Sequence, residues 1–205
     1  MSPEEMPTCT NSLCSNKGIK RCTRCQYVLY CSRECQVAHW KRHKAFCNKM
    51  SCPKNQDRLE QAEMHSKSGY DLYKRGHYKE ALEEYRKTLS VYRELLGEDH
   101  RDTATVYEDI GNVLLDQDQP DQALLGYRKS LEIRQKLVGE DHIDTAQSYC
   151  NIGNALAYKD HDEALLSLRK AQAIYIRQFS ETHPATLETQ RVIDQLLILK
   201  EEAKK

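Results

Sequence analysis

The chain has 205 residues, 39% hydrophobic and 30% charged, with a mean hydropathy of −0.80. That is room for one large domain or two small ones, more polar than a single-core globular domain usually is. The longest strictly aliphatic run, Leu196–Leu199, excludes a transmembrane helix, which needs about 20 apolar residues, and the acidic start MSPEEMP shows no secretory signal. The net charge of zero hides two unlike pieces. Residues 1–55 carry ten basic and three acidic residues, +7, whereas residues 56–205 carry 21 basic and 28 acidic, −7.

Cysteine divides the chain at the same place. Eight of the nine cysteines (9, 14, 22, 25, 31, 35, 47 and 52) fall in the first 52 residues, and only Cys150 lies beyond. A disulfide framework is the competing reading of so Cys-rich a segment. The acidic start, the odd count and the interspersed His39 and His43 favour thiolate-bound metal in a reducing compartment. A piece of about 50 residues with few aliphatic side chains also needs a staple to fold, and zinc supplies one.

The candidate ligands run Cys9-x4-Cys14-x7-Cys22-x2-Cys25-x5-Cys31-x3-Cys35-x7-His43-x3-Cys47. Eight ligands make two closed, tetrahedral, structural sites with no open position for catalysis. The stretch Ser32–His43 contains no Gly or Pro and reads as a helix with Ser32 as N-cap. On that helix Cys35 and His43 stand about 12 Å apart along the axis, whereas two ligands of one zinc lie within about 4.4 Å. They therefore belong to different metals. Interleaving satisfies this: Cys9, Cys14, Cys31 and Cys35 on one zinc, and Cys22, Cys25, His43 and Cys47 on the other. His39 is eight residues from Cys47, so the same distance disfavours it as a ligand. Cys52 is a spare thiol in the segment that follows.

The Cys22–Cys47 spacing and the run YCSRECQVAHWKRHKAFC (Tyr30–Cys47) resemble the MYND-type zinc finger, over about residues 9–47. The first knuckle departs from that pattern, with four residues between Cys9 and Cys14 where two are usual. The resemblance implies a protein-interaction module whose groove takes short proline-containing peptides, with Gln36 and Trp40 at the contact positions. Packing of Trp40 against Tyr27 and Val28 is the plainer reading of this lone tryptophan, and one ring can serve both purposes. A basic zinc module also suggests nucleic acid. Seven thiolates and two Zn²⁺ bring the +7 segment to about +4, however, and no base-stacking platform is visible.

Residues 48–57 read as a short polar linker. From there the chain repeats at a period of 42: Gly69, Gly111 and Gly153 are evenly spaced, and LGEDHRDTATVY (96–107) returns as VGEDHIDTAQSY (138–149). Ala81 maps to Ala123 at 42 and to Ala164 at 41. Such periods signal a helical array. Each unit reads as two helices. Tyr107, Ile110 and Leu114, and again Tyr149, Ile152 and Leu156, form the apolar stripe of the first helix. Ala123, Leu124, Tyr127 and Leu131 form that of the second. Glycines recurring inside helices, where each costs about 1 kcal/mol against Ala, imply close helix–helix approach. Gly-Glu-Asp-His ends one unit, and Asp102 or Asp144 is expected to cap the next.

This array is similar to the tetratricopeptide repeat, in the 42-residue variety of kinesin light chains, over about residues 58–180. Small residues stand at the helix crossings, Tyr85 and Tyr127 at the aromatic position, and Leu168 replaces the aromatic in the third repeat. Three repeats are expected over 58–182. Pro184 opens a last helix within 183–205, with Leu187, Val192, Ile193, Leu196 and Leu197 on one face as a C-terminal cap. The resemblance implies that first helices line a groove. Glu108, Asn112, Asn151 and Asn154, with Glu63, Lys67, Asp109 and Gln147, face away from the apolar stripe. Asn112 and Asn154 match asparagines that hold an extended peptide's backbone, since a carboxamide both donates and accepts. The basic carboxylate clamp of chaperone-binding members is missing, with Tyr70 in place of its first asparagine. With Glu108, Asp109 and Asp116 in the middle repeat, a neutral or basic peptide is the expected ligand.

The expected fold is a small cross-braced finger with two structural zinc ions, after a flexible N-terminus (1–8), joined to an all-α tetratricopeptide-repeat solenoid. The expected function is that of a non-enzymatic adaptor with one peptide site on each part. The second reading is a nucleic-acid-associated or transcriptional regulatory factor. MYND modules also occur in SET-domain lysine methyltransferases, but about ten residues between finger and repeats leave no room for a catalytic domain, and no nucleotide loop, HExxH or Ser/His/Asp pattern is present. The expected setting is cytoplasmic or nuclear, as a monomer, with protein peptides as partners and neither nucleic acid nor membrane.

Overall fold

A computed structural model describes residues 20–21, 29–30, 44, 48–49, 52–157 and 159–202. The chain divides into two compact units, Met1–Gln61 and Ala62–Lys205. In the first, two short strands, β1 (Lys20–Arg21) and β2 (Leu29–Tyr30), pair antiparallel with Lys20 opposite Tyr30 and Arg21 opposite Leu29. The eight candidate zinc ligands, His39, the helix expected over Ser32–His43, and Tyr27, Val28, Gln36 and Trp40 lie outside the described residues.

Seven helices follow among the described residues: α1 (Pro53–Lys74), α2 (Tyr78–Leu95), α3 (Arg101–Asp116), α4 (Pro120–Val138), α5 (Ile143–Leu156), α6 (His161–Gln178) and α7 (Pro184–Glu202). Helix α1 begins inside the segment read as linker. Pro53 suits a first helical position, and the Cys52 carbonyl accepts from the Asn55 and Gln56 amides at 2.9 and 3.0 Å, which starts the helix five residues before the repeats were expected. Cys52 itself is exposed.

Helix packing follows the glycines. A methyl group on Gly111 would stand 2.6 Å from the Tyr127 ring, and one on Gly153 2.6 Å from Leu168 Cγ. One on Gly69 would stand 3.1 Å from the Tyr85 ring. The aromatic or leucine of each second helix thus lies on the bare backbone of the first. Tyr85, Tyr127 and Leu168 are correspondingly buried to 1% exposure. The apolar stripe sits slightly off the expected phase. Ala104, Val106, Val113 and Leu114 are buried in α3, while Tyr107 and Ile110 are only half-buried. In α7, Thr186, Thr189, Ile193 and Leu196 face the core. Leu187, expected on that face, is 55% exposed, and Thr186, one residue earlier, takes the inner position.

The helix starts differ from expectation in one informative way. His100 and His142, not Asp102 and Asp144, are the N-cap residues of α3 and α5. His100 Nδ1 accepts from the Asp102 amide at 3.2 Å, and His142 Nδ1 from the Asp144 amide at 3.1 Å. The same bond recurs from the Ala185 amide to His183 Nδ1 at 3.2 Å, at the start of α7. Three residues after each histidine a threonine reaches back to the preceding turn: Thr103 to Gly97 O at 2.9 Å, Thr145 to Gly139 O at 2.7 Å and Thr186 to Ser180 O at 2.8 Å. Gly97 and Gly139 adopt φ of 104° and 89°, which only glycine takes without strain. Helix α7 is therefore built as the first helix of a fourth unit.

A histidine accepts at Nδ1 only when that nitrogen is unprotonated. Burial pushes His100 below its ordinary pKa, against the opposing pull of Asp102. A neutral folded histidine contributes stability above the unfolded value, about 6.5, and loses it as pH falls below that. The unfolding free energy should therefore drop between pH 7.5 and 5.5, with about 1 kcal/mol at stake at the His100 cap. Urea melts of wild type and His100→Asn should show a shallower pH slope for the variant, since asparagine caps without titrating; equal slopes would contradict this role.

Candidate functional site

The first helices α1, α3 and α5 carry the residues expected to meet a peptide. Glu108 and Asn151 are engaged with each other, Asn151 Nδ2 donating to Glu108 Oε1 at 2.6 Å. The other Glu108 oxygen takes a charge-assisted bond from Arg134 of α4, and the two side chains are only 13% and 12% exposed. Arg134 also donates to Asp144 O and Ser148 Oγ, both at 2.9 Å. Asn151 Oδ1 accepts from Gln147 at 3.1 Å. Between units two and three, then, a guanidinium fills the gap and neutralises its carboxylate.

Asn112 Oδ1 accepts the Tyr127 hydroxyl proton at 2.8 Å, and its Nδ2 has no partner among the described residues. Asn154 is exposed. It lines a pocket of about 190 Å³ with Gln147, Cys150, Tyr175 and Glu188. Burial raises the Cys150 thiol above its usual range, and Thr189 Oγ1 lies 3.7 Å from its sulfur. A thiol so held is a packed side chain, not a nucleophile.

Within Ala62–Lys205, a larger pocket of about 370 Å³ opens between the first and second helical repeats. Glu63, Ser66, Lys67 and Tyr70 of α1, Tyr85 and Tyr92 of α2, and Asp109 of α3 line it. Among the described residues Asp109 makes no hydrogen bond or ion pair. Burial, then the neighbouring Glu108 charge, push its carboxyl up to about 7, and Arg134 pulls the other way. Tyr70, Tyr85 and Tyr92 were not singled out together from the sequence. The 42-residue register would have shown it: Tyr92 occupies the place that Arg134 holds one unit later.

No helix among the described residues is long and apolar enough to cross a membrane. The helices pack on their chain neighbours as hairpins of similar length, with a pocketed face along the first helices; this defines a helical-repeat protein that presents a surface. The chain belongs to the tetratricopeptide repeat family, which matches residues 60–136 and 126–177, and a MYND finger matches residues 9–47. Solved structures of similar fold include BtubC (BKLC) from P. vanneervenii, TM-score 0.62, 17% identical, covering 80% of this chain and 69% of that one. They also include TPR-like repeats of a kinesin light chain from Podosopora anserina, TM-score 0.60, 17% identical, covering 65% and 64%. A SET domain-containing protein 14 of Caenorhabditis elegans is 46% identical over 39 residues, 19% of this chain. The chain matches 9% of that relative's length. Both modules are non-catalytic interaction modules in kind, and the MYND finger family implies zinc binding.

Proposed function

We propose that the chain is a non-enzymatic adaptor that binds an extended peptide along α1, α3 and α5 and a short proline-containing peptide on the finger through Gln36 and Trp40. The observation that carries the repeat half is the pocketed first-helix face. On it Asn112 keeps its Nδ2 donors and Asn154 its whole carboxamide for a peptide backbone, which offers matching donors and acceptors. Glu108 and Asn151 brace that face from below. Two modest sites on one chain give avidity when both epitopes belong to one target.

In the finger, seven thiolates and one imidazole form a donor set suited to structural zinc. Cys9, Cys14, Cys31 and Cys35 would hold one ion, and Cys22, Cys25, His43 and Cys47 the other. The ions would supply the folding energy of a segment too small to bury a core. Metal analysis should return two zinc per chain, and Cys22→Ser should lower that ratio while the helical signal of residues 58–205 survives. One zinc per chain in the wild type would contradict the interleaved arrangement. The adaptor reading is tested by titrating peptides selected from a random display library against wild type, Trp40→Ala and Asn112→Ala. Two peptide classes should appear, each weakened by one substitution; peptides indifferent to both would overturn the reading.

A further inference from the structure

The repeat register turns the second gap of the solenoid into a template for the first. In the second gap Arg134 inserts between α3 and α5 and meets Glu108, Ser148 Oγ and the Asp144 carbonyl. Forty-two residues earlier the arginine is Tyr92 and its serine partner is Val106, and the positions of Glu108 and Asn151 are held by Ser66 and Asp109. The first gap thus keeps a carboxylate but loses the cation that would answer it. Val106 is 2% exposed and Tyr92 8%, so the arginine's polar partners are replaced by packed rings and methyls. What remains open is the 370 Å³ pocket, with Asp109 on one wall and Tyr70, Tyr85 and Tyr92 around it. Lys67 lines the same pocket yet lies outside ion-pair distance of Asp109.

We infer that this pocket takes the side chain of an arginine from the bound peptide, its guanidinium paired with Asp109 and flanked by the tyrosine rings. The inference deepens the groove reading and rests on it. A carboxylate withdrawn from water without a counter-charge is costly, and a guest guanidinium removes that cost as Arg134 does for Glu108 in the next gap. Guanidinium suits the place better than ammonium because its plane stacks on aromatic faces while its edge donates in parallel to a carboxylate. Glu63 at the rim of the pocket adds charge of the same sign.

The test uses the full-length, ¹⁵N-labelled, zinc-loaded chain and two probes, acetyl-Gly-Gly-Arg-Gly-Gly-amide and the same peptide with norleucine for arginine. The arginine probe should shift the amides of Ser66, Tyr85 and Asp109 and bind at least tenfold more tightly than the norleucine probe. Asp109→Asn, which keeps shape and removes charge, should abolish that preference. Tyr92→Arg gives the first gap the arginine that the second already accommodates, and should do the same by filling the pocket from within. Equal binding of both probes to groove residues, or an unchanged preference in Asp109→Asn, overturns the pocket assignment and leaves the groove reading standing. Shifts absent from α1, α3 and α5 with either probe overturn both.

Discussion

Replacing Arg134 with methionine should destabilise the repeat unit by about 3–5 kcal/mol, the usual cost of removing one partner from a buried ion pair. Arg134 and Glu108 are only 12% and 13% exposed. The substitution therefore strands a carboxylate where water cannot reach it freely, and leaves Ser148 and the Asp144 carbonyl without the donors that bind them at 2.9 Å. Methionine keeps the length of the side chain, so the loss reports charge and hydrogen bonding more than volume. Adding Glu108→Gln should recover much of the loss, because a carboxamide can still accept from Asn151 and no charge remains to be neutralised. Exposed ion pairs between successive units behave otherwise. Removing Arg128 from Glu163, 54% and 44% exposed, should cost at most about 1 kcal/mol. Urea unfolding of the four proteins measures all of this; a loss under 1 kcal/mol for Arg134→Met would mean that the gap is wet and the pair screened.

Gly126→Ala should be the most damaging of the helix-glycine changes, by about 1–3 kcal/mol, although alanine is intrinsically the better helix former by about 1 kcal/mol. A methyl group there would stand 2.7 Å from the Tyr107 carbonyl oxygen, and the Gly111 backbone is the next neighbour at 3.5 Å. Backbone cannot swing aside, so α3 and α4 must separate. Gly69→Ala meets a ring at 3.1 Å instead, and a few tenths of an ångström of ring movement accommodates it. Thermal melts of the two variants should differ, with Gly126→Ala melting well below wild type and Gly69→Ala close to it. The reverse order would contradict the backbone-contact argument.

The 42-residue period was legible because it is imposed by contacts that every unit repeats: a bare helix backbone at Gly69, Gly111 and Gly153 against Tyr85, Tyr127 and Leu168. Gly126 escaped notice for the complementary reason. Its equivalents are Glu84 and Ser167, so no period marks it, and only the closeness of α3 and α4 requires it. The histidine caps were hidden by chemistry, since the adjacent Asp102 and Asp144 are the more familiar cap residues. The third copy, His183–Thr186, was further masked by the residue lost from the third unit. Asp144 instead pairs with Arg101 at 3.2 Å, across two successive units. At the candidate site the residue types were readable and their engagement was not. The groove face of α3 was seen to carry acid, but nothing local to Glu108 and Asp109 says that Arg134 satisfies the first and leaves the second.

The peptide site proposed for the repeats is the face made by α1, α3 and α5. Hydrogen–deuterium exchange of the full-length chain, with and without a saturating library-selected peptide, addresses it most directly. Exchange should slow in 63–70, 108–112 and 147–154, with the second helices α2, α4 and α6 changed little. Protection confined to those second helices, or none anywhere in residues 62–202, would contradict it.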